Sequence, residues 1–193
     1  EAMIHTIPDL ALLPGRFMVV SPDESGVSRA VYYASMLEVP LGIFYRKRDY
    51  LQTVHGRNPV VGQKFLGDDV QGLDILLVDD MIVTGETMLR VACDLKARGA
   101  RRIYCAVTFA QFTAGIDAVQ KAFEDGVINQ VFATNLIYRR PELLSAPWFV
   151  EVGMSRFVAL LIDAINHDAS LSKLINPTEK IQKLLEYYKR RQY

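Results

Sequence analysis

Two adjacent carboxylates, two threonine hydroxyls and a glycine crowd into the run Asp79-Asp80-Met81-Ile82-Val83-Thr84-Gly85-Glu86-Thr87. Carboxylates can accept hydrogen bonds from sugar hydroxyls or hold a hydrated Mg²⁺. Hydroxyl donors beside a glycine suit a phosphate dianion, because glycine lets the backbone approach the anion closely and tolerates positive φ. The preceding Ile75-Leu76-Leu77-Val78 is an apolar run fit for a strand covered on both faces, and Leu89, Ala92 and Leu95 follow helical spacing from Glu86 onward. Residues 83–87 therefore occupy a helix start, where N–H groups lack intrahelical partners and a partial positive charge collects. A lone Asp-Thr-Gly reads as a cap and a turn. The complete order of strand, Asp-Asp, Thr-Gly and Thr reads as a phosphosugar grip.

Those groups need a scaffold, and the chain supplies strand and helix patterns in alternation. Strands are expected at 17–20, 41–45, 75–78, 102–108, 130–134 and 148–152, and helices at 26–37, from 86, at 114–123 and at 155–166, with a helical turn after Pro141. Alternation of this kind predicts an α/β fold, a mostly parallel twisted sheet with helices on both faces, and ligands at the strand carboxyl ends. In the 26–37 helix the spacing turns Val27, Ala30, Val31 and Ala34 inward. Residues 46–73 lack periodicity and contain Gly56, Pro59, Gly62, Gly67 and Gly72, the pattern of a functional lid or flexible arm. Beyond Pro177, Ile181, Leu184, Leu185 and Tyr188 mark one face of an amphipathic helix with cations near its end, suited to packing on its own domain or on a neighbouring subunit.

Composition narrows the function classes. The 193 residues carry 22 basic and 22 acidic side chains, a net charge of zero with the basic residues dispersed, which argues against nucleic acid as a partner. Cys93 and Cys105 are too few for a disulfide framework or a metal cage, and their apolar surroundings predict two buried thiols of a reducing compartment. His5, His55 and His167 are scattered and read as incidental. No apolar run approaches the roughly eighteen residues of a membrane span, and the start has no signal design, so a cytoplasmic protein without membrane contact is expected. The opening Glu1-Ala2, without an initiator methionine, suggests a piece of a longer protein.

The run from Ile75 to Thr87 resembles the phosphoribosyl-pyrophosphate signature shared by type I phosphoribosyltransferases and ribose-phosphate pyrophosphokinases. Further segments are similar to the pyrophosphokinases: Val19-Val20-Ser21-Pro22-Asp23-Glu24-Ser25-Gly26-Val27-Ser28-Arg29-Ala30, Pro40-Leu41-Gly42-Ile43-Phe44 with Arg46-Lys47-Arg48, Gly67-Asp68-Asp69-Val70-Gln71-Gly72, Ala97-Arg98-Gly99-Ala100-Arg101-Arg102-Ile103-Tyr104, and the closing helix from Ser155 to Ile175. The resemblance covers residues 15–175 in one order. It implies a type I phosphoribosyltransferase-like carboxy-terminal domain at 15–175, preceded at 1–14 by a lead or linker from a missing amino-terminal domain and followed at 176–193 by an additional helix. It also implies transfer of diphosphate from ATP to the anomeric hydroxyl of ribose 5-phosphate, making phosphoribosyl pyrophosphate for nucleotide biosynthesis, with Mg²⁺ as cofactor and a homo-oligomeric assembly.

Carried onto this chain, the resemblance gives residues 83–87, that is Val83, Thr84, Gly85, Glu86 and Thr87, to the 5-phosphate, and Asp79 and Asp80 to the ribose hydroxyls and Mg²⁺. Asp23, Glu24, Ser25 and Gly26 fall where pyrophosphate is held, with Asp23 a further candidate metal ligand. Arg46, Lys47 and Arg48 fall in the loop whose cations close over the transferring phosphates. The chain departs from the family's usual pattern at Ser25 (glycine), Arg46 (lysine), Val83 (aspartate), Phe109 (histidine) and Ala114 (glycine). A valine accepts no hydrogen bond from a ribose hydroxyl, so binding is better supported than turnover, and the fragment alone is expected to bind ligand but to make product poorly or not at all. A nucleobase phosphoribosyltransferase and a catalytically degenerate phosphoribosyl-binding regulatory subunit are the two alternatives.

Overall fold

The computed structural model describes residues 2–7, 9–48 and 60–192, apart from the side chains of residues 46–48, 60, 61, 173 and 189–192. The elements are α1 (Ala2–Thr6), β1 (Phe17–Ser21), a 3-10 turn (Glu24–Gly26), α2 (Val27–Leu37), β2 (Leu41–Arg48), β3 (Val60–Leu66), β4 (Asp74–Val78), β5 (Met81–Ile82), α3 (Glu86–Ala97), β6 (Arg102–Val107), β7 (Phe109–Ala110), α4 (Asp117–Glu124), β8 (Gln130–Thr134), α5 (Pro141–Ser145), β9 (Phe149–Val152), α6 (Ser155–Asn166), α7 (Ser172–Ile175) and α8 (Thr178–Gln192). Seven strands form one sheet in the order β3-β2-β1-β4-β6-β8-β9. All neighbours run parallel except β3, which is antiparallel to β2.

The pleat divides the central strands between two cores. Met18 and Val20 of β1 and Ile75 and Leu77 of β4 face Met88, Val91 and Leu95 of α3 and Val119 of α4. Phe17, Val19, Leu76 and Val78 point the other way, toward Ala30 and Ala34 of α2 and Leu185 of α8. Strands apolar at every position are what a sheet covered on both faces requires. The fold is therefore the α/β, mostly parallel, helix-covered sheet expected. Ile7, Leu10 and Leu12 of the lead are buried in the second core, and the Tyr188 hydroxyl donates to the Leu10 carbonyl, so α8 is packed on its own domain.

Below the sheet, at the amino end of β4, the fully buried Asp74 accepts from Arg101 Nε at 2.8 Å and from Arg102 Nη2 at 2.6 Å, and Arg102 reaches on to Asp9 at 2.7 Å. A buried carboxylate needs such partners.

Several details differ from the sequence reading. Residues 60–66 of the stretch read as irregular form β3, because β2 runs on through Arg48 and pairs with it from Ile43↔Leu66 to Arg48↔Val60. The long stretch without periodicity hid an antiparallel strand pair at the sheet edge, and Arg46, Lys47 and Arg48 lie on β2 rather than in a loop. His55, Gly56 and Pro59 lie outside the described residues, as does Glu1. Val31 is 43 % exposed, since it lies one position off the Ala30–Ala34 stripe that α2 turns to the sheet. Cys93 is exposed while Cys105 is buried, because the inner face of α3 is taken by Met88, Val91, Ala92 and Leu95.

Candidate functional site

The carboxyl end of β4 opens directly onto the acidic pair. The Asp79 N–H donates to the Ala106 carbonyl at 3.1 Å and anchors the chain to β6, while the Asp80 carbonyl accepts from the N–H groups of Thr108 and Phe109, both at 2.9 Å. Beyond them β5 pairs in parallel with β7 as a second, two-stranded sheet, Met81↔Phe109 and Ile82↔Ala110. That small sheet carries the chain over the edge to the start of α3.

Each carboxylate is oriented by backbone. Asp79 Oδ1 accepts from the Asp80 N–H and Asp80 Oδ1 from the Met81 N–H, each at 2.8 Å. Burial pushes the Asp79 carboxyl up to about 6; the Asp80 and Asp23 carboxylates add to the rise and the Asp80 amide opposes it. From α2, Arg29 sets Nη1 3.6 Å from Asp79 Oδ1 and Nη2 3.6 Å from Asp80 Oδ2. These are ion-pair distances too long for hydrogen bonds.

The turn into α3 follows. Gly85 caps α3 with φ +94°, and a Cβ there would meet only ordinary contacts, the nearest Val119 Cγ2 at 3.5 Å. Backbone conformation, not space, asks for glycine here. Thr84 Oγ1 accepts from the Glu86 N–H at 3.3 Å, which leaves the hydroxyl hydrogen available to a ligand. The Val83 carbonyl is held from outside by the Thr113 N–H at 2.8 Å and the Thr113 hydroxyl at 3.1 Å.

Across the cleft lies the turn after β1. Asp23 Oδ1 accepts from the Ser25 N–H at 2.9 Å, the Ser25 hydroxyl at 2.5 Å and the Gly26 N–H at 3.3 Å. The carboxylate thus occupies two of the amides that sequence reading assigned to an anion, and a diphosphate held there has to displace it. Gly26 is needed for close packing: a Cβ would sit 2.8 Å from Ser21 Oγ and 3.5 Å from the Val78 carbonyl. The Pro22 carbonyl accepts from Gln63 Nε2 at 2.9 Å, which pins the turn to the β2–β3 hairpin.

Together these elements enclose a cleft of about 230 Å³, lined by Asp23 and Ser25 on one side, Asp79, Asp80, Val83, Thr84, Gly85 and Thr87 on the other, and floored by apolar groups that include Cys105. Glu24 is exposed, on the 3-10 turn that Asp23 caps, and Glu86 is exposed in the first turn of α3. The side chains of Arg46, Lys47 and Arg48 lie outside the described residues. Arg29, Gln63 and Arg140, whose guanidinium donates to the Phe112 carbonyl, escaped the sequence reading. Arg29 had a signal, three residues past Gly26 on the first turn of α2; Gln63 had none, since it depends on an antiparallel pairing not visible in periodicity.

Mg²⁺ asks for oxygen ligands and usually takes one or two carboxylates together with waters and phosphate oxygens. Asp79 and Asp80 fit that habit, each with Oδ1 turned to backbone and Oδ2 not engaged by it. Among the described residues no group of three or more His, Cys, Asp or Glu is placed to cage a metal.

A family model for the phosphoribosyl transferase domain matches residues 14–134. The chain belongs to that family. This phosphoribosyl transferase domain is 32% identical over 160 residues to the ribose-phosphate pyrophosphokinase of Vibrio cholerae serotype O1, covering 82% of the chain and 48% of the relative. It is 35% identical over 158 residues to the ribose-phosphate pyrophosphokinase of Nostoc sp., covering 81% and 44%. The chain spans about half the length of the curated relatives it matches. Among solved structures it resembles phosphoribosylpyrophosphate synthetase from Mycobacterium smegmatis, with a TM-score of 0.62 and 26% identity over 79% of this chain and 46% of that one. Among the described residues no helix is long and apolar enough to cross a membrane.

Proposed function

We propose that this chain is the carboxy-terminal domain of a cytoplasmic ribose-phosphate pyrophosphokinase, gripping ribose 5-phosphate so that its anomeric hydroxyl meets the β-phosphorus of ATP. One observation carries this reading: the Asp79–Asp80 pair, Thr84, Gly85 and Thr87 at the start of α3, and Asp23 and Ser25 of the turn after β1 line a single cleft at the carboxyl ends of the adjacent strands β1 and β4. Open parallel sheets bind ligands at that edge.

In this reading the amides and hydroxyls of residues 83–87 hold the 5-phosphate, with the dipole of α3 behind them. Asp79 and Asp80 accept from ribose hydroxyls and provide the carboxylates for Mg²⁺. The Asp23–Gly26 turn exchanges its internal hydrogen bonds for diphosphate oxygens. Arg46, Lys47 and Arg48, on the edge hairpin that Gln63 ties to this turn, supply positive charge to the transferring phosphates. The anomeric oxygen bonds to the β-phosphorus, the bond from that phosphorus to the α–β bridging oxygen breaks, AMP leaves and the hydroxyl proton passes to water. Bound Mg²⁺ would neutralise charge on the diphosphate oxygens. The remaining half of a full-length relative completes the nucleotide site, and the whole assembles as a homo-oligomer.

A second reading keeps the grip and drops the turnover. Val83 stands 43 % exposed in the cleft lining, where it offers the ribose no acceptor, and this favours a phosphoribosyl-binding regulatory subunit. Release of AMP from ATP on adding ribose 5-phosphate and Mg²⁺ to the full-length protein separates the two. The first reading expects stoichiometric AMP and phosphoribosyl pyrophosphate. Absence of AMP with retained ribose 5-phosphate binding leaves the second.

A further inference from the structure

One cation at this edge is spent on protein rather than on ligand. Arg29 bridges Asp79 and Asp80 at 3.6 Å each, its side chain 33% exposed, and among the described residues its buried Nη1 has no hydrogen-bond partner. The two carboxylates already take their orientation from the Asp80 and Met81 amides at 2.8 Å. What Arg29 contributes is charge, held close by α2 against two adjacent anions. A pair left with both negative charges would draw a divalent cation by itself; a guanidinium at ion-pair distance opposes that cation directly.

We propose that Arg29 is the built-in counter-ion of the Asp79–Asp80 pair, and that it makes divalent-cation loading of the cleft depend on an anionic sugar phosphate. The inference rests on reading the cleft as a phosphate-ester site. Two carboxylates alone leave most of the coordination shell of a hard divalent cation to water and ligand oxygens. With Arg29 in place, the bare cation gains little; when a phosphorylated sugar brings oxygens and negative charge, the balance turns. Because such coupling is reciprocal, the cation must strengthen sugar phosphate binding by the same factor.

Electron paramagnetic resonance titration of Mn²⁺ onto the wild-type chain and the Arg29→Lys, Arg29→Gln and Arg29→Met variants, with and without ribose 5-phosphate, tests this. The neutral variants are expected to bind bare Mn²⁺ at least tenfold more tightly than wild type, while Arg29→Lys stays within about threefold of it. Ribose 5-phosphate should tighten Mn²⁺ about tenfold in wild type and less than threefold in the neutral variants. Neutral variants that bind bare Mn²⁺ no better than wild type overturn the proposal. Should both neutral variants fail to fold, the wild-type coupling decides: no mutual tightening between Mn²⁺ and ribose 5-phosphate overturns it. Ribose 5-phosphate binding by metal-free wild type is measured separately, so failure of the phosphate-ester reading shows there, while the order of bare Mn²⁺ affinities judges Arg29 alone.

Discussion

The Val83 carbonyl receives two hydrogen bonds from Thr113, 2.8 Å from its N–H and 3.1 Å from its hydroxyl. Through them the turn into α3 is braced against the segment after β7, and that segment is itself fixed by Phe112, which is buried, meets Trp148 edge to face at 5.7 Å between ring centroids and offers its carbonyl to Arg140. Replacing Thr113 by Val removes the hydroxyl bond and keeps the amide bond. We expect a stability loss of about 0.5–1.5 kcal/mol by urea denaturation, the ordinary worth of one such bond. Ribose 5-phosphate affinity should fall about threefold in calorimetry, as the turn loosens.

Gly85→Ala tests the left-handed residue at the helix start. Its Cβ meets nothing closer than 3.5 Å, so the penalty comes from φ +94° alone. A cost of about 1–2 kcal/mol in thermal or urea unfolding is expected. Affinity for the phosphate ester should drop at least tenfold if the turn relieves the strain by moving its amides.

Asp74 supplies a pH signature at the far end of β4. Burial would raise its pKa, but the hydrogen bonds and charges of Arg101 and Arg102 outweigh burial and hold it below the ordinary carboxylate value. A depressed folded-state pKa contributes stability that is present above the unfolded value, about 3.9, and is lost as pH falls through the folded value. Asp74→Asn should cost about 2–3 kcal/mol at pH 7, where it leaves Arg101 without its anion and Arg102 with Asp9 alone. The gap between variant and wild type should close as pH is lowered from about 4 toward 2 in urea titrations.

The closing helix is tested by Leu185→Ala. Leu185 is 7% exposed and packs in the core with Ala30, Ala34 and Val19. A loss of about 2–4 kcal/mol is expected, the range for emptying a leucine site in a core. A helix serving only a neighbouring subunit would instead show a concentration-dependent effect.

The sheet and its site were legible to different depths. Runs such as Ile75-Leu76-Leu77-Val78, short and apolar throughout, suit strands buried on both faces, and the strand expected at 130–134 matches β8 to the residue. The turn into α3 was legible because its structure is local: Thr84, Gly85 and Glu86 sit within one helix start. The β2–β3 hairpin was not, since strand pairing between Arg46 and Gln63 leaves no periodic trace in a stretch of glycines and basic residues. The self-contained hydrogen bonding of Asp23 escaped notice for a related reason. Asp at that position caps its own turn as readily as it faces a ligand, and only the geometry tells which occurs in the free chain.

Calorimetric titration of ribose 5-phosphate into the chain with Mg²⁺, beside the Gly85→Ala variant, tests the central claim most directly. The account predicts saturable one-site binding at millimolar or lower concentration, weakened at least tenfold by the substitution. No heat of binding from the unmodified chain at millimolar ligand, or equal affinity in both proteins, contradicts it.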